Sequence, residues 1–136
     1  MKNIYIVGVG LIGGSFALEL KNIFNDYNII GIDISTQNLK IAKQKNIIDS
    51  HAEINDITNA FMIIIAVPVK SIIKILPKIL EFISTETLVI DFGSTKLNIC
   101  KNLQTHKRRS NFLAAHPIAG NEFYGPDAAA NGLFTN

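Results

Sequence analysis

A chain of 136 residues, 48% hydrophobic and 18% charged, is long enough for one domain with its own core and falls in the globular range. A formal net charge of +2 is too small to hold a polyanion, so no nucleic-acid partner is expected. The single cysteine, Cys100, has no disulfide partner and no metal-ligand set beside it; no metal is expected, and a reducing, cytoplasmic setting fits best.

The first predicted strand, residues 3–7, runs into Gly8-Val9-Gly10-Leu11-Ile12-Gly13 and then a helix over residues 11–23. Lys2 and this apolar run look like the start of a secretory leader. The glycines would weaken a leader helix, however, Glu19 and Lys21 follow, and no suitable cleavage site appears, so none is expected. The glycines read better as a dinucleotide loop. Gly8 permits the tight turn, Gly10 lets the backbone approach a pyrophosphate, and Gly13 lets the helix lie close on the strand. With Leu11 and Ile12 they form the opening of a helix whose free N–H groups and dipole favour phosphate.

A second strand over residues 28–33 ends on Asp33, 20 positions after Gly13, the spacing of an acid that accepts hydrogen bonds from the adenosine ribose. That acid repels a 2′-phosphate, and Ile34-Ser35-Thr36 offers no arginine for one, so NAD is expected over NADP. The bland alternative is a glycine turn beside a solvent-facing acid. Ser35 is the expected N-cap of a helix over residues 36–45, and a weak strand follows at 50–52.

The next strand, residues 61–66, ends in Ala66-Val67-Pro68-Val69-Lys70. Val67 and Pro68 either pass beneath a cofactor or merely end the strand. In the helix over residues 69–83, Ile72, Ile73, Leu76, Ile79, Leu80 and Ile83 follow helical spacing and are expected to face the core. Pro77 is expected to kink or restart this helix. Pro68, Lys70, Lys74, Lys78 and Glu81 interrupt this most apolar region, so no membrane span is expected.

A strand over residues 88–91 opens Asp91-Phe92-Gly93-Ser94-Thr95-Lys96, a helix is expected over 96–105, and His106 to Arg109 read as its solvated, cationic end. The last strand, residues 112–115, leads into His116-Pro117-Ile118-Ala119-Gly120-Asn121-Glu122. Alternating strands and helices predict an α/β fold of Rossmann type, a doubly wound, mostly parallel sheet with helices on both faces. No repeat or linker divides residues 1–136. In a parallel sheet Ser94 and His116 emerge at the edge that carries the glycine loop, where a neutral imidazole can take a proton from a substrate hydroxyl. Pro117 biases His116 to an extended backbone, and Gly120 permits a turn that returns Glu122 towards the pocket. On spacing alone a surface histidine at a strand end is the commoner outcome. Lys96 either lends positive potential to the site or faces water.

The stretches GVGLIGGS, DFGSTK and HPIAGNEFYGPDAA, in this order, resemble the prephenate dehydrogenase family over nearly the whole chain. The resemblance implies NAD-dependent oxidative decarboxylation of prephenate to 4-hydroxyphenylpyruvate in tyrosine biosynthesis. His116 would be the catalytic base, Ser94 would orient it and the substrate hydroxyl, and Glu122 would be an acid at the pocket mouth. It also implies that residues 1–136 are the NAD-binding domain, followed in the family by a mostly helical domain that forms the homodimer and supplies an arginine to the substrate. The 136 residues alone are therefore expected to bind NAD and to turn over prephenate poorly. Arogenate dehydrogenases share the motifs. A non-catalytic dinucleotide sensor would need the glycine loop and Asp33 but have no use for Ser94 and His116 together.

Overall fold

The computed structural model describes residues 2–135. Its elements in chain order are β1 (Lys2–Val7), α1 (Leu11–Ile23), β2 (Tyr27–Ile32), α2 (Thr36–Gln44), β3 (Ser50–His51), β4 (Ala60–Ile65), α3 (Val69–Phe82), β5 (Leu88–Asp91), α4 (Leu97–Asn102) and β6 (Phe112–Ala114). The strands form one sheet in the order β3-β2-β1-β4-β5-β6, and every pairing is parallel. The order reverses direction between β1 and β4. That is the switch point at which ligands settle in doubly wound sheets.

The Ile- and Val-rich strands form because both faces of the sheet are covered. Ile4 and Ile6 of β1 pack with Ala17 and Leu20 of α1 and with Leu39 and Ala42 of α2. Tyr5 and Val7 point to the other face, onto Ile72, Leu76, Ile79 and Leu80 of α3 and Ile99 of α4. Ser35 caps α2 as expected, its Oγ accepting from Asn38 N–H at 3.2 Å.

Pro77 does not restart its helix; α3 runs from Val69 to Phe82 with the proline inside it. The physical reason is twofold. The carbonyl that Pro77 leaves without its i+4 donor, on Ile73, accepts instead from Asn102 Nδ2 of α4 at 3.0 Å. Burial of Ile72, Leu76, Ile79 and Leu80 is worth at most about 6–12 kcal/mol, well above the ~3 kcal/mol that an interior proline costs. The cationic run also departs from expectation. Helix α4 stops at Asn102, and residues 106–109 form the turn into β6. There the Arg109 guanidinium donates to Phe112 O at 2.9 Å and lies over the Phe112 ring.

Candidate functional site

The glycine loop leaves β1 with Gly8 at φ +93°, and Gly8 N–H donates to Ile32 O at 2.7 Å. A Cβ on Gly8 would lie 2.6 Å from Ala66 O, and one on Gly13 would lie 2.0 Å from Gly8 O. Packing within the protein dictates both glycines. Gly10 is different: nothing stands within 4 Å of where its Cβ would be, and its φ of −77° suits any residue. The chain itself does not need a glycine there, and the backbone at Gly10 is left open to close approach. Leu11 and Ile12 follow in the first turn of α1, whose leading N–H groups lack helical partners.

Asp33 is half-buried just beyond β2. Its carboxylate accepts Val9 N–H at 3.0 Å and Ser35 N–H at 2.8 Å, which ties the glycine loop to the start of α2. A carboxylate has about four lone-pair sites, so two backbone donors leave capacity for sugar hydroxyls. Val67 and Pro68, with Ile12, Ala66, Gly93 and Ser94, line a depression of about 250 Å³ beside the loop. Val67 also packs directly against Gly8.

Ser94 and His116 are both exposed. Ser94 faces the depression just described, whereas His116 stands on a neighbouring one of about 470 Å³ walled by Phe16, Phe92, Leu113, Pro117 and Phe134. Phe92 borders both. The two depressions therefore adjoin at Phe92 near the carboxyl edge of β5 and β6, and no hydrogen bond joins Ser94 to His116 among the described residues. Glu122 is exposed and lines neither depression.

Asp91 organises this corner. It is wholly buried; its Oδ2 accepts from Gly93 N–H at 2.9 Å and from Lys96 Nζ, and its main-chain oxygen accepts from Ala115 N–H at 3.1 Å. One residue thus fixes the neighbours of both Ser94 and His116. Lys96 accordingly neither adds free positive potential nor simply faces water: it neutralises Asp91. The signal for this was a lone acid ending an apolar strand with a lysine five positions on. The aromatic wall of Phe16, Phe92 and Phe134, joined edge to face at 4.8 and 5.5 Å, has no comparable local signature.

A larger cavity, about 670 Å³, lies at the opposite edge of the sheet among Lys2, Thr58, Phe61, Phe82 and Thr87. Its buried hydroxyl is already used, Thr87 Oγ1 donating to Ala60 O at 2.7 Å, and it is far from the strand ends where the motifs gather. The motif-bearing edge is the better site. Among the described residues no group of three His, Cys, Asp or Glu side chains could hold a metal ion, and no helix is long and apolar enough to cross a membrane.

A parallel sheet in this order, with a glycine loop at its switch point and an acid beyond β2, defines a Rossmann-type nucleotide-binding domain. Comparison with known proteins sharpens that class. The chain belongs to the prephenate dehydrogenase family, because the profile described as "Prephenate dehydrogenase, nucleotide-binding domain" matches residues 16–136. It is 37% identical over 137 aligned residues to the prephenate dehydrogenase of Bacillus subtilis, covering 98% of this chain and 37% of that protein. The crystal structure of Aquifex aeolicus prephenate dehydrogenase in complex with hydroxyphenyl propionate and NAD+ superposes with a TM-score of 0.87 at 32% identity, over 98% of this chain and 48% of that one. Synechocystis arogenate dehydrogenase follows with a TM-score of 0.80 at 27% identity, over 98% and 47% of the two chains. The chain spans less than half the length of each of these relatives.

Proposed function

We propose that this chain is the NAD-binding domain of a prephenate dehydrogenase, which oxidatively decarboxylates prephenate to 4-hydroxyphenylpyruvate on the route to tyrosine. The observation that carries the reading is the Gly10 cradle, open to a ligand and not required by packing, on the same sheet edge as Ser94 and His116. Gly8, Gly10, Leu11, Ile12 and Gly13 hold the pyrophosphate, Asp33 takes the adenosine ribose, and Val67 and Pro68 form the wall under the cofactor. Bound NAD supplies the hydride acceptor.

His116 accepts the proton of the substrate ring hydroxyl as the carbon that bears it is oxidised. The carbon–carbon bond to the ring carboxylate then breaks, carbon dioxide leaves, and the bonding pair completes the aromatic ring. Ser94 orients the hydroxyl and the imidazole across Phe92. Glu122 lies on the loop that carries His116, and the family resemblance, not a contact with either depression, supports its role at the entrance. Prephenate has two carboxylates, for which basic partners are expected. Arg109 is committed to the turn before β6 through Phe112, and Arg108 lies in the same turn; the family resemblance supports a further, mostly helical domain that supplies those partners and forms a homodimer in the cytoplasm.

The similarity to the Synechocystis enzyme supports arogenate as a second substrate reading. In the complete enzyme, His116→Asn is expected to lower kcat by about 10²–10⁴-fold with NAD affinity within twofold of the parent. Assays on prephenate and arogenate separate the two substrates. Loss of NAD binding in step with kcat would make the role of His116 structural and overturn the reading.

A further inference from the structure

Gly14 and Ser15 follow the glycine loop in sequence, yet their contacts lie elsewhere. A Cβ on Gly14 would stand 3.0 Å from Ala129 Cβ. Ser15 is wholly buried, and its Oγ accepts Ala130 N–H at 3.0 Å. One turn further along α1, Glu19 accepts Gly132 N–H, while Phe16 meets the Phe134 ring edge-on at 5.5 Å. At the end of α2, Lys45 pairs with Asp127 at 2.8 Å. Residues 127–134 therefore lie across α1 and α2 as a strap.

The segment that carries His116, residues 116–125, joins β6 to this strap and contains no helix or strand. It is held at its start by the Ala115 N–H to Asp91 O bond of 3.1 Å and at its far end by the strap. Fixing both ends of a short loop removes much of the freedom it would have with one end loose. A glycine inside a helix is unfavourable relative to alanine, so Gly14 needs a reason, and room for Ala129 supplies one.

We propose that the strap positions the His116 loop over the dinucleotide helix, and that Gly14 and Ser15 are positioning residues for it and not phosphate ligands. The proposal rests on the reading of His116 as the base, but the strap contacts can be tested without turnover. The test uses Gly14→Ala, Ser15→Ala and the double variant Gly14→Ala/Ala129→Gly. It measures NAD affinity by calorimetry, amide exchange at Ala130 and Gly132, and the NMR signals of the His116 ring, all well below the melting temperature.

Expected for both single variants are roughly fivefold or faster exchange at Ala130, about one hydrogen bond's worth of opening, displaced His116 signals, and NAD affinity within twofold. The double variant restores exchange and His116 signals because removing the methyl at position 129 returns the room that the new methyl at position 14 takes. Unchanged exchange in Ser15→Ala, unmoved His116 signals, failure of Ala129→Gly to rescue Gly14→Ala, or loss of NAD binding in either single variant would each overturn the proposal. Full turnover in His116→Asn would sink the catalytic reading instead and leave the exchange results standing.

Discussion

Removing Lys96 should cost far more than its half-buried position suggests. Asp91 is fully buried and Lys96 Nζ is its cationic partner, with the lysine side chain 27% exposed; Asp91 Oδ1 has no partner among the described residues. Lys96→Met leaves a carboxylate that cannot reach water, a defect worth about 3–5 kcal/mol when a buried pair loses one member. Because Lys96 is partly solvated, the lower end applies, about 3 kcal/mol. With an unfolding entropy of about 2.1 cal/mol/K per residue, that lowers Tm by roughly 10 °C in a chain of this size. Asp91→Asn should cost less, about 1–2 kcal/mol, since Lys96 can swing into solvent and an amide oxygen still serves Gly93 N–H. The double variant Asp91→Asn/Lys96→Met should recover part of the Lys96→Met loss. The chain has no Trp, so urea unfolding followed by circular dichroism is the assay. Equal losses below about 1 kcal/mol in both single variants would refute the argument, because they would mean that water reaches the carboxylate.

Gly10→Ala should leave stability unchanged or slightly higher, as the new methyl meets nothing in the protein, while calorimetry should show NAD affinity reduced at least about tenfold by contact with the phosphates. Asn102→Ala should cost about 1 kcal/mol in urea unfolding, and less in a Pro77→Ala background, where the N–H restored at position 77 can serve Ile73 O in place of Asn102. For Asp49, burial raises the carboxyl pKa, but the hydrogen bond from Lys21, the Ile29 N–H and the charges of Lys21 and Lys43 outweigh it and hold it below 3.8. A depressed folded value means that its stabilisation is complete above about pH 4 and is lost as pH falls further. Asp49→Asn should therefore flatten the stability profile below about pH 4, as measured by urea midpoints against pH.

Much of this architecture was legible because its causes are local. The bounds of α1 and β5 follow from periodic apolar residues that stop at Gly10, Phe24 and Asp91, and Ser35 announces α2 through a cap only three residues long. Gly13 was legible for the same reason, since Gly8 O crowds it within one motif, and so was the positive φ of Gly8, although Ala66 O, far off in sequence, crowds Gly8 as well. What escaped depended on partners far away in sequence. Nothing near Pro77 reveals that Asn102 will occupy the carbonyl of Ile73, so a kink or a restart was the expectation there. Lys96 looked like surface until the sheet buried Asp91, and Arg109 looked like a helix end until Phe112 was seen to receive it. Gly14 and Ser15 hid inside a motif whose other residues already had a reason. At the site, the shared strand edge followed from the parallel pattern, whereas the aromatic divider between Ser94 and His116 arises only from packing of Phe16, Phe92 and Phe134.

The two flanks of the sheet are not equivalent. Strand β3 closes one side with two exposed polar residues, Ser50 and His51, too short and too hydrophilic to recruit another chain. On the other side β6, among the described residues, pairs only with β5 and leaves Leu113 half-exposed, with Ile118, Phe123 and Tyr124 uncovered beyond it. Along that rim the Phe112 carbonyl is already taken by the Arg109 guanidinium at 2.9 Å, so the cation of the turn caps the margin where it begins. Exposed apolar side chains thus gather at the margin that bears the imidazole, where Leu113 also walls the depression of His116.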